Sequence, residues 1–158
     1  MSDVMPVVNF AGDLVALGPF DETMAEALHR WNNDFAIYER ATMRLIGLVN
    51  LRDIDFWRRT AEVGIMIGEQ DCWGKGYGTE ALYLLLDYAF SALGLHNIML
   101  DTTSYNERAL RTYRRVGFRE IGRRREACCV GTKRYDVVFM DCLSTEFHSP
   151  LAPIITPP

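Results

Sequence analysis

Three glycines at alternate positions, Gly74, Gly76 and Gly78, stand between a strand-like run, Thr60 to Gly68, and a long apolar segment, Leu82 to Leu93. Small residues let a backbone approach a ligand, and the first amides of a helix have no partners of their own. Thr79 is placed to cap such a helix, and Glu80 falls in its first turn. With the positive end of a helix dipole behind them, these amides suit a phosphate or a diphosphate. A P-loop is excluded, because no Lys-Ser/Thr pair follows the glycines. A dinucleotide loop needs G-x-G-x-x-G spacing at the first βα unit, whereas these glycines fall at every second position after a meander of strands.

The surrounding elements must hold that loop. Asp13 to Gly18 reads as a short strand, and Asp21 can cap a helix from Glu22 to Asn32. Phe35–Glu39, Arg44–Asp53 and Thr60–Gly68 form an antiparallel meander, with Gly64 marking a bulge or a close backbone approach. The helix from Thr79 to Leu93 is apolar nearly all round and stops at Gly94. A strand from His96 to Thr103 follows by the crossover that a parallel pair requires. Asn106 opens a second helix, Glu107 to Val116, ended by Gly117. Phe118–Val130 and Lys133–Leu143 make a hairpin around Gly131-Thr132. This order predicts an α/β (α+β) fold: a mixed, mostly antiparallel sheet with helices on both faces.

The 158 residues suit one domain, taken as 1–147, with a loose Pro-rich tail over 148–158. A net charge of −4 argues against a nucleic-acid partner, and the Arg123-Arg124-Arg125 run reads as a solvated strand edge. Cys72, Cys128, Cys129 and Cys142 form no C-x-x-C pair, and the three histidines are scattered, so no metal site is expected. With no leader and no spanning segment, the expectation is a cytoplasmic protein without a membrane partner.

The glycine loop, together with Tyr113-Arg114-Arg115-Val116-Gly117-Phe118, resembles the GNAT (GCN5-related N-acetyltransferase) family, especially its ribosomal-protein N-terminal acetyltransferase-like branch. The family's acetyl-CoA signature is Arg or Gln, two residues, Gly, one residue, then Gly or Ala. Gly76 and Gly78 match it, Gly78-Thr79-Glu80-Ala81 extends the match, and Trp73 takes the Arg/Gln position. In element order the likeness runs from Leu14 to Leu143.

The resemblance implies that backbone amides of Gly74, Lys75, Gly76, Tyr77, Gly78 and Thr79 cradle the pyrophosphate of acetyl-CoA, with Lys75 as an added charge. It implies that the pantetheine arm pairs with Val63–Ile67, and that an N–H near Met66 or Ile67 stabilises the oxyanion. Tyr113 would protonate the leaving thiolate and Asn106 would bond the pantetheine amide; core packing and helix capping are the structural alternatives. An alkylammonium has a pKa of about 10, so a base must take its proton at neutral pH. Glu62, a carboxylate in an otherwise apolar strand beside the cofactor, is the first choice, against a solvent-facing strand residue.

The expected activity is acetyl transfer from acetyl-CoA to a primary amine by direct attack in a ternary complex. The acceptor would be a protein N-terminus or a small amine such as a polyamine or aminoglycoside, and a homodimer is a possible state. A CoA-binding module without turnover is the alternative. One departure bears on acceptor choice. Trp31-Asn32-Asn33-Asp34 runs straight into Phe35-Ala36-Ile37, where the family has a second helix region. That region is expected to be lacking between Asp34 and Phe35, as a deletion or as a loop leaving a gap after Asn33.

Overall fold

The computed structural model describes residues 7–19 and 35–153. In chain order these form β1 (Phe10–Ala11), β2 (Val15–Gly18), β3 (Phe35–Glu39), β4 (Arg44–Asp55), β5 (Thr60–Ile67), α1 (Tyr77–Asp87), β6 (Asn97–Thr103), α2 (Glu107–Val116), β7 (Arg119–Val130) and β8 (Lys133–Leu143). They build one sheet in the order β1-β2-β3-β4-β5-β6-β8-β7. Every neighbouring pair is antiparallel except β5 and β6, which the α1 crossover joins in parallel. The mixed, mostly antiparallel sheet is as the sequence predicts.

Side chains alternate across the strands, so each face collects its own set. Val15, Leu17, Ile37, Val49, Val63 and Ile98 pack with Leu82, Leu85 and Leu86 of α1 and with Leu110, Tyr113 and Val116 of α2. Each fully buried leucine contributes about 2 kcal/mol, so α1 is held by packing more than by helix propensity. Ala16, Ala36, Tyr38 and Leu48 form a smaller cluster with Leu45 beside it. Both described helices thus share a single core with one face of the sheet. The helix expected over Glu22–Asn32, and the gap expected between Asn33 and Phe35, lie outside the described residues.

Several boundaries differ from the sequence reading. β1 was not anticipated; it is two residues long and too short to carry a pattern. The first helix begins at Tyr77, and Gly76 rather than Thr79 is its N-cap. It leaves regular α geometry after Asp87 in a π turn over Tyr88–Ala92, with Gly94 beyond it at φ 66°. Register is unbroken at Gly64, so there is no bulge there, but the close approach is present. Asn50 Oδ1 accepts from the Gly64 amide at 3.0 Å, and a Cβ on Gly64 would lie 2.5 Å from that oxygen.

β7 is the outer edge and is exposed nearly throughout. Arg123 on it is ion-paired with Glu120 and Asp136, and two register shifts interrupt its pairing with β8, both features that discourage edge-to-edge association. Leu151, in the tail, packs against the main core, as does Phe147. Among the described residues, no helix is long and apolar enough to cross a membrane.

Candidate active site

β5 is hydrogen-bonded to β6 only through Thr60–Asn97, Ala61–Ile98 and Glu62–Met99, while on its other side it follows β4 as far as Ile67. The sheet therefore opens as a wedge beyond Glu62. Along Val63–Ile67, every second N–H and C=O is directed into the gap. An extended ligand with amide groups could continue the ladder there.

At the end of β5 the chain turns through Gln70–Cys72 and enters the glycine loop. Arg44 of β4 braces this turn, donating to Asp71 Oδ2 at 2.7 Å and to Cys72 Sγ at 3.0 Å. Gly76 sits at φ 88°, a left-handed conformation that costs an ordinary residue about 1–2 kcal/mol. Because a glycine caps α1, no side chain among the described residues bonds the first-turn amides, which suits them to a ligand. Glu80 does not compete for them. Its buried carboxylate accepts the amides of Asp13, Leu14 and Val15 at 3.0, 2.6 and 2.7 Å, tying the start of α1 to the turn before β2.

Between the wedge, the loop and α2 lies a cleft of about 420 Å³, within the usual range for small-molecule sites. Of the residues singled out from sequence, Met66, Ile67, Trp73, Gly74, Gly76, Tyr77, Gly78, Thr79, Asn106 and Tyr113 all line it. Residues far apart in the chain are thereby brought to one cavity. The indole Nε1 of Trp73 donates to the Ile67 carbonyl at 2.8 Å, pinning the loop to the end of β5. The Tyr77 hydroxyl donates to Glu39 Oε1 at 2.8 Å; this bond, with burial, raises the phenol above its ordinary value.

Asn106 caps α2, its side chain accepting the Ala109 amide at 3.2 Å, so the structural alternative is present along with a place in the cleft. Tyr113 is only 9% exposed and meets Phe118 edge-on, with centroids 6.0 Å apart. Both the Gly117 and Phe118 amides bond to its carbonyl, so the helix end fixes its backbone. Burial raises the Tyr113 phenol above its ordinary value, and the charge of Asp101 adds to this. The hydroxyl therefore keeps its proton across the neutral range.

Two expected residues are placed otherwise. Lys75 is exposed and does not line the cleft. Glu62 also lies outside the lining, and it is not an isolated carboxylate among apolar neighbours. Register sets Arg52 directly across from it, with Nε 3.2 Å from the carboxylate, and the same guanidinium reaches Asp101 at 3.7 Å. Cross-strand pairing created that contact, and local sequence cannot display it.

Sequence reasoning missed Arg108, Thr112 and Arg115, which form the α2 wall of the cleft. Their i, i+4, i+7 spacing was a legible signal of one helix face. The Arg108 guanidinium lies 3.9 Å from the centroid of the Trp73 ring.

A family model for the acetyltransferase (GNAT) domain matches residues 3–119. Spermidine N(1)-acetyltransferase of Vibrio cholerae is 34% identical over 70% of this chain and 64% of its own length. The putative ribosomal N-acetyltransferase YdaF of Bacillus subtilis is 32% identical over 66% of this chain and 56% of its own. The chain thus spans about three fifths of the length of these curated relatives. Among solved structures, a V. cholerae spermidine/spermine N-acetyltransferase superposes with a TM-score of 0.73 at 26% identity, covering 84% of this chain and 94% of that one. The V. cholerae spermidine N-acetyltransferase in complex with CoA and spermine gives 0.66 at 32% identity, over 79% and 73% of the two chains. With the family model covering most of the chain and the wedge, glycine loop and helix in their expected order, this protein belongs to the GNAT acetyltransferase family.

Proposed function

We propose that this chain is an acetyl-CoA-dependent N-acetyltransferase that acts on a primary amine by direct attack in a ternary complex. One observation carries the reading: the open edge of β5, the glycine-capped start of α1 and the buried side chain of Tyr113 line a single cleft. When bound, acetyl-CoA supplies an acyl group activated as a thioester. The loop amides from Gly74 to Thr79 hold its diphosphate, and the β5 edge and Asn106 orient its amide-bearing arm. An amide near Met66 or Ile67 donates to the developing oxyanion.

Tyr113 donates its proton towards the departing sulfur. Its raised phenol value means that it is protonated whenever it is needed. An ammonium of pKa about 10 is neutral in roughly one molecule per thousand at pH 7, so proton removal belongs to the reaction. Glu62 takes that proton through water, on the strand that leads into the wedge, with Arg52 holding its carboxylate in place.

For the acceptor we favour a small polyamine, on the names of the relatives that act on spermidine. A protein N-terminus follows from the name of the other relative. The test is release of free thiol by the full chain from acetyl-CoA across a panel of polyamines, aminoglycosides and N-terminal peptides. Amine-dependent release with a preference for polyamines is expected. Saturable acetyl-CoA binding without release on any amine would instead identify a binding module.

A further inference from the structure

Helix α2 carries four arginines, and the fold sorts them. Arg111 is paired with Glu107 at 3.5 Å and Arg114 with Glu120 at 3.9 Å. Arg108 and Arg115 line the cleft, and among the described residues no carboxylate pairs with either. The loop's own cation, Lys75, is not part of the lining. Arg108 is nevertheless held. Its guanidinium rests 3.9 Å from the Trp73 ring centroid, and Trp73 is itself fixed by the 2.8 Å bond from its Nε1 to the Ile67 carbonyl. A cation laid flat on an aromatic face keeps its edge N–H groups for other acceptors. Here the face belongs to the glycine loop.

Building on the donor reading above, we propose that Arg108 binds the diphosphate of the donor, and that Trp73 is the positioning residue that presents it, with Arg115 as a second cation on the same wall. The loop amides supply direction and Arg108 supplies charge. A dianionic group inside a partly enclosed cleft needs both. Trp73 thereby contributes to anion binding without touching the anion.

Titration calorimetry with the full chain tests this, using CoA, dephospho-CoA and pantetheine, which lacks phosphate. Arg108→Ala should weaken CoA binding roughly tenfold, the loss expected for one charge-assisted hydrogen bond. The same loss should persist on dephospho-CoA and vanish on pantetheine. The salt dependence of CoA binding should become shallower. Trp73→Ala should give a similar loss that is not additive with Arg108→Ala, while Trp73→Phe should restore most of it. Arg111→Ala, outside the cleft, is the control for helix charge.

Equal effects of Arg108→Ala and Arg111→Ala would overturn the proposal, as would a loss confined to CoA and absent on dephospho-CoA. If the unaltered chain binds none of the three ligands, the donor reading itself fails, and that result is distinguishable from failure of the arginine assignment.

Discussion

From Thr60 to Glu62, β5 has a strand on each side; from Val63 to Ile67, one of its edges faces a cleft. The first half presents one charged side chain, Glu62, joined to Arg52 of β4, which also reaches Asp101 of β6. The second half presents backbone, continued by the amides of a loop whose cap is a glycine. A site made from main chain tolerates many side chains but depends on φ, ψ and strand spacing. A site made from charged side chains depends on which residues register places opposite one another. On the proposed reading, the donor end is mainly of the first kind, with Arg108 adding charge to it, and the acceptor-facing end is of the second. Substitutions should therefore separate the two ends cleanly.

The largest effect should come from Tyr113→Phe, which removes the proposed acid and leaves the core contact with Phe118. Turnover should fall roughly 100-fold, and acetyl-CoA affinity should change little, as read from steady-state rates beside calorimetry. Unchanged turnover would leave Tyr113 as a packing residue alone.

Next in size is Gly76→Val. It forces a β-branched residue to φ 88° and brings a Cβ to 3.4 Å from Leu14 Cδ1. Acetyl-CoA affinity should drop roughly 30-fold, from backbone strain plus a blocked approach to the amides. The thermal midpoint recorded alongside distinguishes this from general unfolding. A matching rise in the amine KM would mean that the two ends of β5 are not separate.

Glu62→Gln probes the other end. Turnover should fall about tenfold and recover at higher pH, where more of the amine is already neutral. Donor affinity should not move. A loss of donor binding here would contradict the division at Glu62.

The smallest effect is a control from β8. Burial pushes the Cys142 thiol from its ordinary 9.0 up to about 12. Between these values the unfolded chain gives up a proton that the folded chain keeps. Stability is therefore complete below about pH 9 and declines as the pH climbs towards 12. Urea titrations should show a loss of about 1 kcal/mol between pH 8 and pH 10, and Cys142→Val should flatten that slope. A slope untouched by the substitution would assign the loss elsewhere.

The same contrast explains what could be read from the sequence. Glycine spacing, apolar periodicity and capping residues are local, so the α2 boundaries, the β7–β8 hairpin and the β5 to α1 transition were legible. Ten of the twelve site residues line one cleft for that reason. The start of α1 was misplaced because Thr79 is the better cap by side chain, while Gly76 wins by adopting a left-handed backbone. The partners of Glu62 and Trp73 were not legible. Arg52 and Arg108 reach them from another strand and another helix, through register and packing. Lys75 looked useful by type and proximity, yet it is exposed beside the cleft.

In the proposed reaction one cleft holds the donor chiefly through the loop amides, with Arg108 adding charge, and Tyr113 protonates the departing sulfur. Its most direct test is thiol release at saturating amine, measured against acetyl-CoA concentration for Gly76→Val and Tyr113→Phe side by side. A raised acetyl-CoA KM with turnover preserved is expected in the first variant, and lowered turnover with KM preserved in the second. If both variants alter the same parameter, donor binding and proton transfer are not divided between Gly76 and Tyr113; if the unaltered chain releases no amine-dependent thiol, it is not an amine acetyltransferase.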